Sequence, residues 1–161
     1  MRMAKKGLEP IIHHDTEILI LGSLPGEESL RQQRYYANKG NDFWKLTGNS
    51  IGEELDKKEY PEKLRILKEH KIGLWDVFRE AERKGSGDSE IRYEVINDFS
   101  MLKMIAPNIR KILFNGKTRA GKYEYLLQEK GYDTAVLPSS SGANRQNRIE
   151  RGKIWKQQLQ C

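Results

Sequence analysis

The chain has 161 residues and a net charge of +6, from 29 lysines and arginines against 23 aspartates and glutamates. This length suits one domain, so we expect residues 1–161 to form a single domain whose first residues, 1–10, are a frayed tail. A lone cysteine, Cys161, excludes an internal disulfide and a cysteine-rich zinc site, and no apolar run could span a bilayer. We therefore expect a cytoplasmic monomer without a metal or other cofactor.

Basic residues are concentrated in two parts of the chain. Residues 99–123 contain six lysines and arginines and no acidic residue. Residues 142–161 contain five basic residues against Glu150 alone. Such segregation is typical of a surface that binds a nucleic-acid backbone, although a basic solvated surface is the simpler alternative.

The first strong pattern is an apolar run from Thr16 to Gly22, followed by the turn Gly22-Ser23-Leu24-Pro25-Gly26. A short continuous apolar run predicts a buried parallel strand. Ligands in open α/β sheets bind at the carboxyl ends of strands, and this turn leaves main-chain amides accessible. We therefore predict that Gly22, Ser23, Leu24, Pro25 and Gly26 bind substrate.

A short helix, Glu27–Arg34, separates this turn from an aromatic stretch that contains a neutral amide. Tyr35-Tyr36 and Phe43-Trp44 flank Asn41 closely in sequence. Flat apolar rings beside an amide favour a pocket for a nucleobase. The alternatives are that Asn41 only caps the helix Asn41–Thr47 and that the rings only fill the core.

The rest of the chain alternates strand and helix patterns, with strands at Ile72–Phe78, Lys111–Gly116 and Thr134–Pro138. The predicted helices are one from about Pro61 to His70, Phe99–Ala106, Thr118–Lys130, and a basic helix Gln146–Gln160 that buries Ile149, Ile154 and Trp155. Glu82–Arg92 has the composition of a polar loop. This alternation predicts a three-layer α/β/α sandwich around a central four-stranded, mainly parallel sheet.

Three loops follow predicted strand ends: Gly22–Gly26, Asn115-Gly116 and Pro138–Asn144. In a parallel sheet these ends share one edge, so we expect the loops to form one cleft. The cleft would offer amides, hydroxyls and main-chain groups. It lacks the G-x-S-x-G, P-loop and G-x-G-x-x-G motifs of common hydrolases and nucleotide-binding proteins. The serine hydroxyls and amides could hold a phosphate where the last helix begins.

Four motifs in this order, ILGSLPG, NDFW, FNG and LPSSSGAN, resemble those of the uracil-DNA glycosylase superfamily. With GLWDVF, they are most similar to its hypoxanthine-DNA (deoxyinosine) glycosylase branch. The resemblance extends from Ile18 to Asn144. Leu24 stands where most of the superfamily carries the residue that activates water. Gly142 stands where relatives often have proline, which predicts a more flexible loop.

The resemblance also assigns expected roles to residues. Asn41 matches the water-positioning asparagine of the hypoxanthine branch. Asn115 matches the asparagine that reads the base edge. Tyr36 matches the aromatic residue that stacks on the base, and we expect Phe43 to contact the substrate beside it. A loop that presses into the DNA minor groove is matched by Ser139, Ser140, Ser141, Gly142, Ala143 and Asn144. Lys117 and Arg145 are the basic residues that we expect to contact DNA beside these motifs.

The activity that the resemblance implies is hydrolysis of the N-glycosidic bond of a deaminated base in DNA, leaving an abasic site for downstream repair enzymes. Hypoxanthine, uracil and xanthine are the candidate bases, because an amide that cannot hold a proton suits good leaving groups. The alternatives are a uracil- or thymine-mismatch glycosylase, a nucleic-acid binder that has lost catalysis, and a metal-dependent nucleotide hydrolase. Carboxylates are scarce in the motif loops, which disfavours the last of these.

Overall fold

A computed structural model describes residues 5–83, 91–142 and 148–160. The central sheet has four strands, β2 (Ile18–Gly22), β3 (Ile72–Asp76), β6 (Lys111–Asn115) and β7 (Thr134–Leu137). They lie in the order β3-β2-β6-β7, and all neighbouring pairs are parallel. Every residue of β2 is buried, as its continuous apolar run predicts for a central parallel strand.

Helices cover both faces of this sheet. They are α1 (Glu27–Gln32), α2 (Phe43–Ile51), α3 (Tyr60–Glu69), α4 (Leu102–Ile105), α5 (Glu124–Gln128) and α6 (Arg148–Gln160). Ile18 and Ile20 of β2 belong to the apolar layer with α2, α3 and α6, while Leu19 and Leu21 belong to the opposite layer with α4 and α5. The three-layer α/β/α prediction is therefore confirmed.

A second, antiparallel sheet was not predicted from the sequence. Its strands lie in the order β1-β4-β5 and are β1 (Lys5–Lys6), β4 (Phe78–Arg83) and β5 (Ile91–Ile96). The expected strand Ile72–Phe78 is thus two strands, and the expected polar loop Glu82–Arg92 overlaps β4 and β5. The expected frayed tail is wrong for residues 5–10, because β1 pairs with β4 and the side chain of Leu8 is buried.

Two helices differ from the prediction in ways that affect the site. The expected helix Thr118–Lys130 begins as a 3₁₀ turn at Ala120–Tyr123 and becomes α-helical only at α5. In α6 the side chain of Ile149 is 78% exposed, so its expected burial is wrong. The buried residues of α6 are Arg151, Trp155 and Leu159, and Ile154 packs partly buried against the same core, so the expected burial of Trp155 is confirmed. The indole of Trp155 donates a 2.9 Å hydrogen bond to the Pro138 carbonyl and fixes α6 against the end of β7.

Candidate functional site

The strand register brings the predicted loops to one edge of the sheet. Gly22 at the end of β2 pairs with Asp76 at the end of β3, and Asn115 at the end of β6 pairs with Leu137 at the end of β7. Because these strands are parallel, their carboxyl ends lie side by side. The predicted convergence of the loops therefore occurs, and the contacts between their side chains define the site.

Asn115 and Ser140 form the centre of the site. The main-chain N–H of Ser140 donates to Asn115 Oδ1 at 3.0 Å, and Asn115 Nδ2 donates to Ser140 Oγ at 2.9 Å. Two reciprocal hydrogen bonds fix the orientation of the Asn115 amide, because an oxygen must face the N–H group. The end of β6 and the loop after β7 are thereby joined.

Asn41 is linked to the same serine. Ser140 Oγ donates to Asn41 Oδ1 at 2.8 Å, and the main-chain N–H of Phe43 donates to the same oxygen at 2.9 Å. Asp42 flanks α2 but makes no side-chain capping hydrogen bond, whereas Asn41 accepts from the N–H of Phe43, the first residue of α2. Asn41 thus caps this helix, as the simpler interpretation expected, and the same oxygen also bonds to Ser140 in the site.

The aromatic residues lie beside these amides. Tyr36 stacks on Phe43 with ring centroids 3.8 Å apart and an interplanar angle of 10°, and its hydroxyl oxygen is 3.2 Å from Asn115 Nδ2. The ring of Phe43 is fully buried beneath Tyr36, so the ring available to a ligand is that of the half-buried Tyr36. We call Tyr36, Asn41, Asn115 and Ser140 the amide cluster.

Tyr36 is held in an uncommon backbone conformation. Its φ of 52° lies in the left-handed region, which costs a bulky residue of order 1 kcal/mol or more. The indole of Trp44 donates a 3.1 Å hydrogen bond to the Tyr36 carbonyl and contributes to holding this conformation. Strained residues persist where the surrounding structure determines them, and they are concentrated at functional sites.

The turn Gly22–Gly26, which we call the glycine turn, is largely buried. The side chain of Leu24 is 6% exposed and packs in the apolar layer that contains Phe78. A Cβ atom added at Gly22 would lie 2.7 Å from Asp76 Oδ1 and 3.0 Å from the Tyr36 hydroxyl. A side chain at position 22 would therefore need the Asp76 carboxylate or the Tyr36 phenol to move. At the other end, Gly26 is the residue before α1.

The loop after β7 is fixed from two directions. Arg151, whose side chain is 5% exposed, donates to the Ser139 carbonyl at 3.1 Å and to Asp42 Oδ2 at 2.6 Å. A Cβ atom at Gly142 would lie 2.2 Å from the Gly40 carbonyl oxygen. The expectation that Gly142 makes this loop more flexible is therefore incomplete, since here glycine permits close packing against the segment before Asn41.

The other residues predicted to contact DNA differ in how exposed they are. Ser139 and Ser141 are half-buried, with the Ser141 N–H donating to Ser139 Oγ at 3.1 Å. Ser140 is 1% exposed and contacts the amide cluster. Lys117 is exposed just after β6. Ala143, Asn144 and Arg145 lie outside the described residues.

A cavity of about 520 Å³ opens beside Asn41. Its walls include Tyr36 and Asn41 from the site, Tyr60 from α3, and the basic residues Arg34 and Lys63. Arg34 lies over the ring of Tyr60, at 5.3 Å from its centroid, and Lys63 lies 5.1 Å from the ring centroid of Trp44. The lining also holds Lys39, Lys45 and Lys58 against the acidic residues Asp42, Asp56 and Glu59. This excess of positive charge, with aromatic surface next to Asn41, suits a nucleic-acid strand.

Tyr35 anchors the aromatic stretch from behind. Its hydroxyl donates to the Glu9 carbonyl at 2.8 Å, and its main-chain N–H donates to the Tyr60 hydroxyl at 2.9 Å. Burial is the main cause that raises the pKa of the Tyr35 phenol far above its ordinary value, and the negative charge of Asp76 raises it further. The phenol therefore stays neutral and keeps its hydrogen bond over the working pH range.

Sequence reasoning missed two contributors to the site. Arg151 and Asp42 are 109 residues apart, and no motif signals that the arginine of α6 would turn inward to hold the loop of Ser139. The second contributor is Asp76 at the end of β3, whose side chain is 4% exposed and lies against Gly22. The sequence could have indicated this position, because Asp76 ends a predicted buried strand whose carboxyl end lies at the same edge as the glycine turn.

Among residues 5–83, 91–142 and 148–160, no three histidine, cysteine, aspartate or glutamate side chains lie close enough together to hold a metal ion. Within the same residues, every helix is too short or too polar to cross a membrane.

Comparison with known proteins identifies relatives over nearly the whole chain. The family model of the uracil DNA glycosylase superfamily matches residues 10–159. A Methanosarcina acetivorans protein named hypoxanthine DNA glycosylase is 54% identical over 154 residues, covering 96% of this chain and 97% of that protein. A protein of the same name from Methanosarcina barkeri is 52% identical over 153 residues, covering 95% of this chain and 96% of that protein.

A solved structure is similar throughout. It is the solution NMR structure of a protein from Methanosarcina acetivorans, described as a candidate uracil DNA glycosylase. It aligns with a TM-score of 0.89 at 52% identity, covering 99% of this chain and 100% of that chain.

Proposed function

Because the chain belongs to the uracil-DNA glycosylase superfamily, we propose that it is a monofunctional DNA glycosylase that removes a deaminated base from DNA. Hypoxanthine is the preferred base, and uracil and xanthine are further candidates. The protein acts inside the cell as a single-domain monomer, without a cofactor, and leaves an abasic site for downstream repair enzymes. DNA is the substrate class that the family implies.

The observation that carries this proposal is the amide cluster. Asn41 and Asn115 come from chain segments far apart in sequence, yet both bond to the hydroxyl of Ser140. A water-positioning amide and a base-reading amide must lie close together, because the water attacks the sugar carbon from which the base departs. Tyr36 supplies an aromatic surface on the same side.

The reaction begins when the damaged nucleotide leaves the helix and enters the site, at the smallest cost for a mispaired or deaminated base. Asn41 holds a water beside the sugar carbon through its amide NH2 group, because Oδ1 already accepts from the Phe43 N–H and the Ser140 hydroxyl. This is a positioning role, since an amide is a poor base. The departing base replaces the Tyr36 hydroxyl as the acceptor of one Asn115 Nδ2 proton. This hydrogen bond, with others from main-chain amides of the glycine turn, stabilises negative charge on the base. Water forms the new bond to the sugar carbon as the N-glycosidic bond breaks, and the proton that the water loses neutralises the departing base. No lysine adduct forms, so no strand is cut.

The test is single-turnover cleavage of end-labelled duplexes that contain hypoxanthine, uracil, xanthine or mismatched thymine, in EDTA and followed by hot alkali. We expect breaks after alkali on the hypoxanthine duplex, at a rate that EDTA does not change. Faster cleavage of uracil or mismatched thymine would favour a uracil- or thymine-mismatch glycosylase instead. Binding of every duplex without cleavage would contradict catalysis and favour a nucleic-acid-binding relative.

A further inference from the structure

We propose that Ser140 is a positioning residue that fixes the Asn41 carbonyl and couples it to the base-reading amide of Asn115. This inference rests on the proposed function and extends it to a residue that the sequence placed only at the DNA surface. The Ser140 side chain is buried, with 1% of its surface exposed. A hydroxyl in that position acts on its protein neighbours.

The direction of each hydrogen bond in the cluster follows from the main chain. The Phe43 N–H can only donate, so the atom that it meets on Asn41 is the oxygen. By the same reasoning, the Ser140 N–H fixes the oxygen of Asn115. The Ser140 hydroxyl then has one possible arrangement: its single proton points to Asn41 Oδ1, and its lone pair accepts from Asn115 Nδ2.

The hydroxyl is therefore the link in a chain of hydrogen bonds from Tyr36 through Asn115 to Asn41. The second proton of Asn115 Nδ2 faces the Tyr36 hydroxyl at 3.2 Å, so the chain continues to the ring that would stack on a base. Hydrogen bonds in such a chain polarise one another, and a change at one end alters the other. A base that engages Asn115 thus affects the group that holds the attacking water.

The main chain of Ser140 forms its own hydrogen bonds, so the effect of the hydroxyl can be tested separately. Its N–H bonds to Asn115 and its carbonyl accepts a 2.9 Å hydrogen bond from the Asp42 N–H. Both bonds survive Ser140→Ala, so the loop stays in place and only the hydroxyl is lost. Ser50 offers a matched control: it is also 1% exposed, and its hydroxyl donates to the Leu46 carbonyl at 2.7 Å on α2, outside the amide cluster.

The experiment compares wild type, Ser140→Ala, Ser140→Thr and Ser50→Ala on the hypoxanthine duplex, measuring the single-turnover rate at saturating enzyme and the Kd for DNA. We expect Ser140→Ala to lower the rate by about 30- to 100-fold, since misplacing a reacting group by about 1 Å can cost that much, while the Kd changes by less than about threefold. Ser140→Thr keeps the hydroxyl and should recover most of the rate. Ser50→Ala should match wild type.

A double-mutant cycle with Asn41→Ala separates positioning from a direct role. If Ser140 acts through Asn41, then adding Ser140→Ala to Asn41→Ala should lower the residual rate by less than about threefold, because interacting residues are not additive. The side-chain amide NMR signals of Asn41 and Asn115 should also shift in Ser140→Ala and stay in place in Ser50→Ala. That readout requires no cleavage and reports the link itself.

Three results would overturn the proposal. An unchanged rate in Ser140→Ala would remove the positioning role. A faster rate would mean that the hydroxyl competes with water for Asn41. A loss confined to the Kd would make Ser140 a DNA contact. The failure of wild type to cleave any duplex is a different outcome and would contradict the proposed function itself.

Discussion

The amide cluster and the glycine turn lie on the same edge of the sheet but are built in opposite ways. The cluster is a continuous set of hydrogen bonds in which the Ser140 hydroxyl joins Asn41 to Asn115. The turn, where most of the superfamily carries its water-activating residue, buries the apolar side chain of Leu24. We therefore propose that the polar groups near the sugar belong to the cluster, while the largely buried turn shapes the pocket.

Asn115→Ala should have the largest effect on the cluster after loss of Asn41 itself. It removes the base contact and leaves the Ser140 N–H and hydroxyl without their partner. Losing a preorganised donor at developing charge costs about 100- to 1,000-fold, so we expect a single-turnover rate lower by that factor on the hypoxanthine duplex. Asn108→Ala, at an exposed asparagine before β6, is the control and should cleave like wild type. A loss below about threefold in Asn115→Ala would show that this amide does not read the base.

Gly22→Ala probes where the turn meets the cluster. The new Cβ would lie 2.7 Å from Asp76 Oδ1 and 3.0 Å from the Tyr36 hydroxyl, so one of these groups has to move. Overpacking of this kind costs about 1–3 kcal/mol, and we expect a rate about tenfold lower because Tyr36 is displaced. Gly152→Ala in α6 is the matched control, since its Cβ meets nothing within 4 Å. Equal stability and equal rates for the two variants would contradict the crowding at Gly22.

Leu24→Ala should lower the stability of the protein much more than its cleavage rate. Truncating a leucine in a packed layer costs about 2–5 kcal/mol in the free energy of unfolding, measured by urea denaturation. At a temperature where the variant is folded, the single-turnover rate should fall only a few-fold, because the side chain faces Phe78 and the core. The opposite result, a stable variant with a rate as low as that of Asn115→Ala, would show that the glycine turn takes a direct part in catalysis.

Tyr35→Phe should have the smallest effect on rate and a measurable one on pH-dependent stability. Burial raises the pKa of the folded-state phenol, so its stabilising contribution is fully present below the unfolded pKa of about 10 and is lost as the pH rises above it. At neutral pH the variant loses one hydrogen bond to Glu9, worth about 1 kcal/mol. Above about pH 10 the difference from wild type should shrink. Tyr125→Phe, at a half-exposed tyrosine, is the control, and a gap that widens with pH would contradict this account.

Much of the fold could be read from the sequence because its strands carry continuous apolar runs. Ile18–Gly22 and Lys111–Asn115 are buried central strands for that reason, and their parallel arrangement brings their carboxyl ends together. The antiparallel sheet could not be read in this way. Its strand β4 has the sequence FREAER, and a glycine- and serine-rich segment separates it from β5, so composition indicated a loop.

The site was only partly predictable. The resemblance of the motifs pointed to Asn41 and Asn115, and the structure places both against the Ser140 hydroxyl. The link between them was not predictable, because Ser140 is 99 residues from Asn41 and one of three adjacent serines, and no spacing distinguishes it from Ser139 or Ser141. Side-chain pairing across that distance is set by packing. The inward turn of Arg151 was missed for the same reason.

The central claim, that water is positioned by the cluster and not by the turn, is tested most directly by one measurement. This is the single-turnover rate of Asn41→Ala on the hypoxanthine duplex, with Asn49→Ala, at an exposed asparagine of α2, as control. The account predicts a rate at least about 100-fold below wild type with the Kd for DNA nearly unchanged, while the control cleaves normally. An Asn41→Ala variant that cleaves hypoxanthine at the wild-type rate would contradict it.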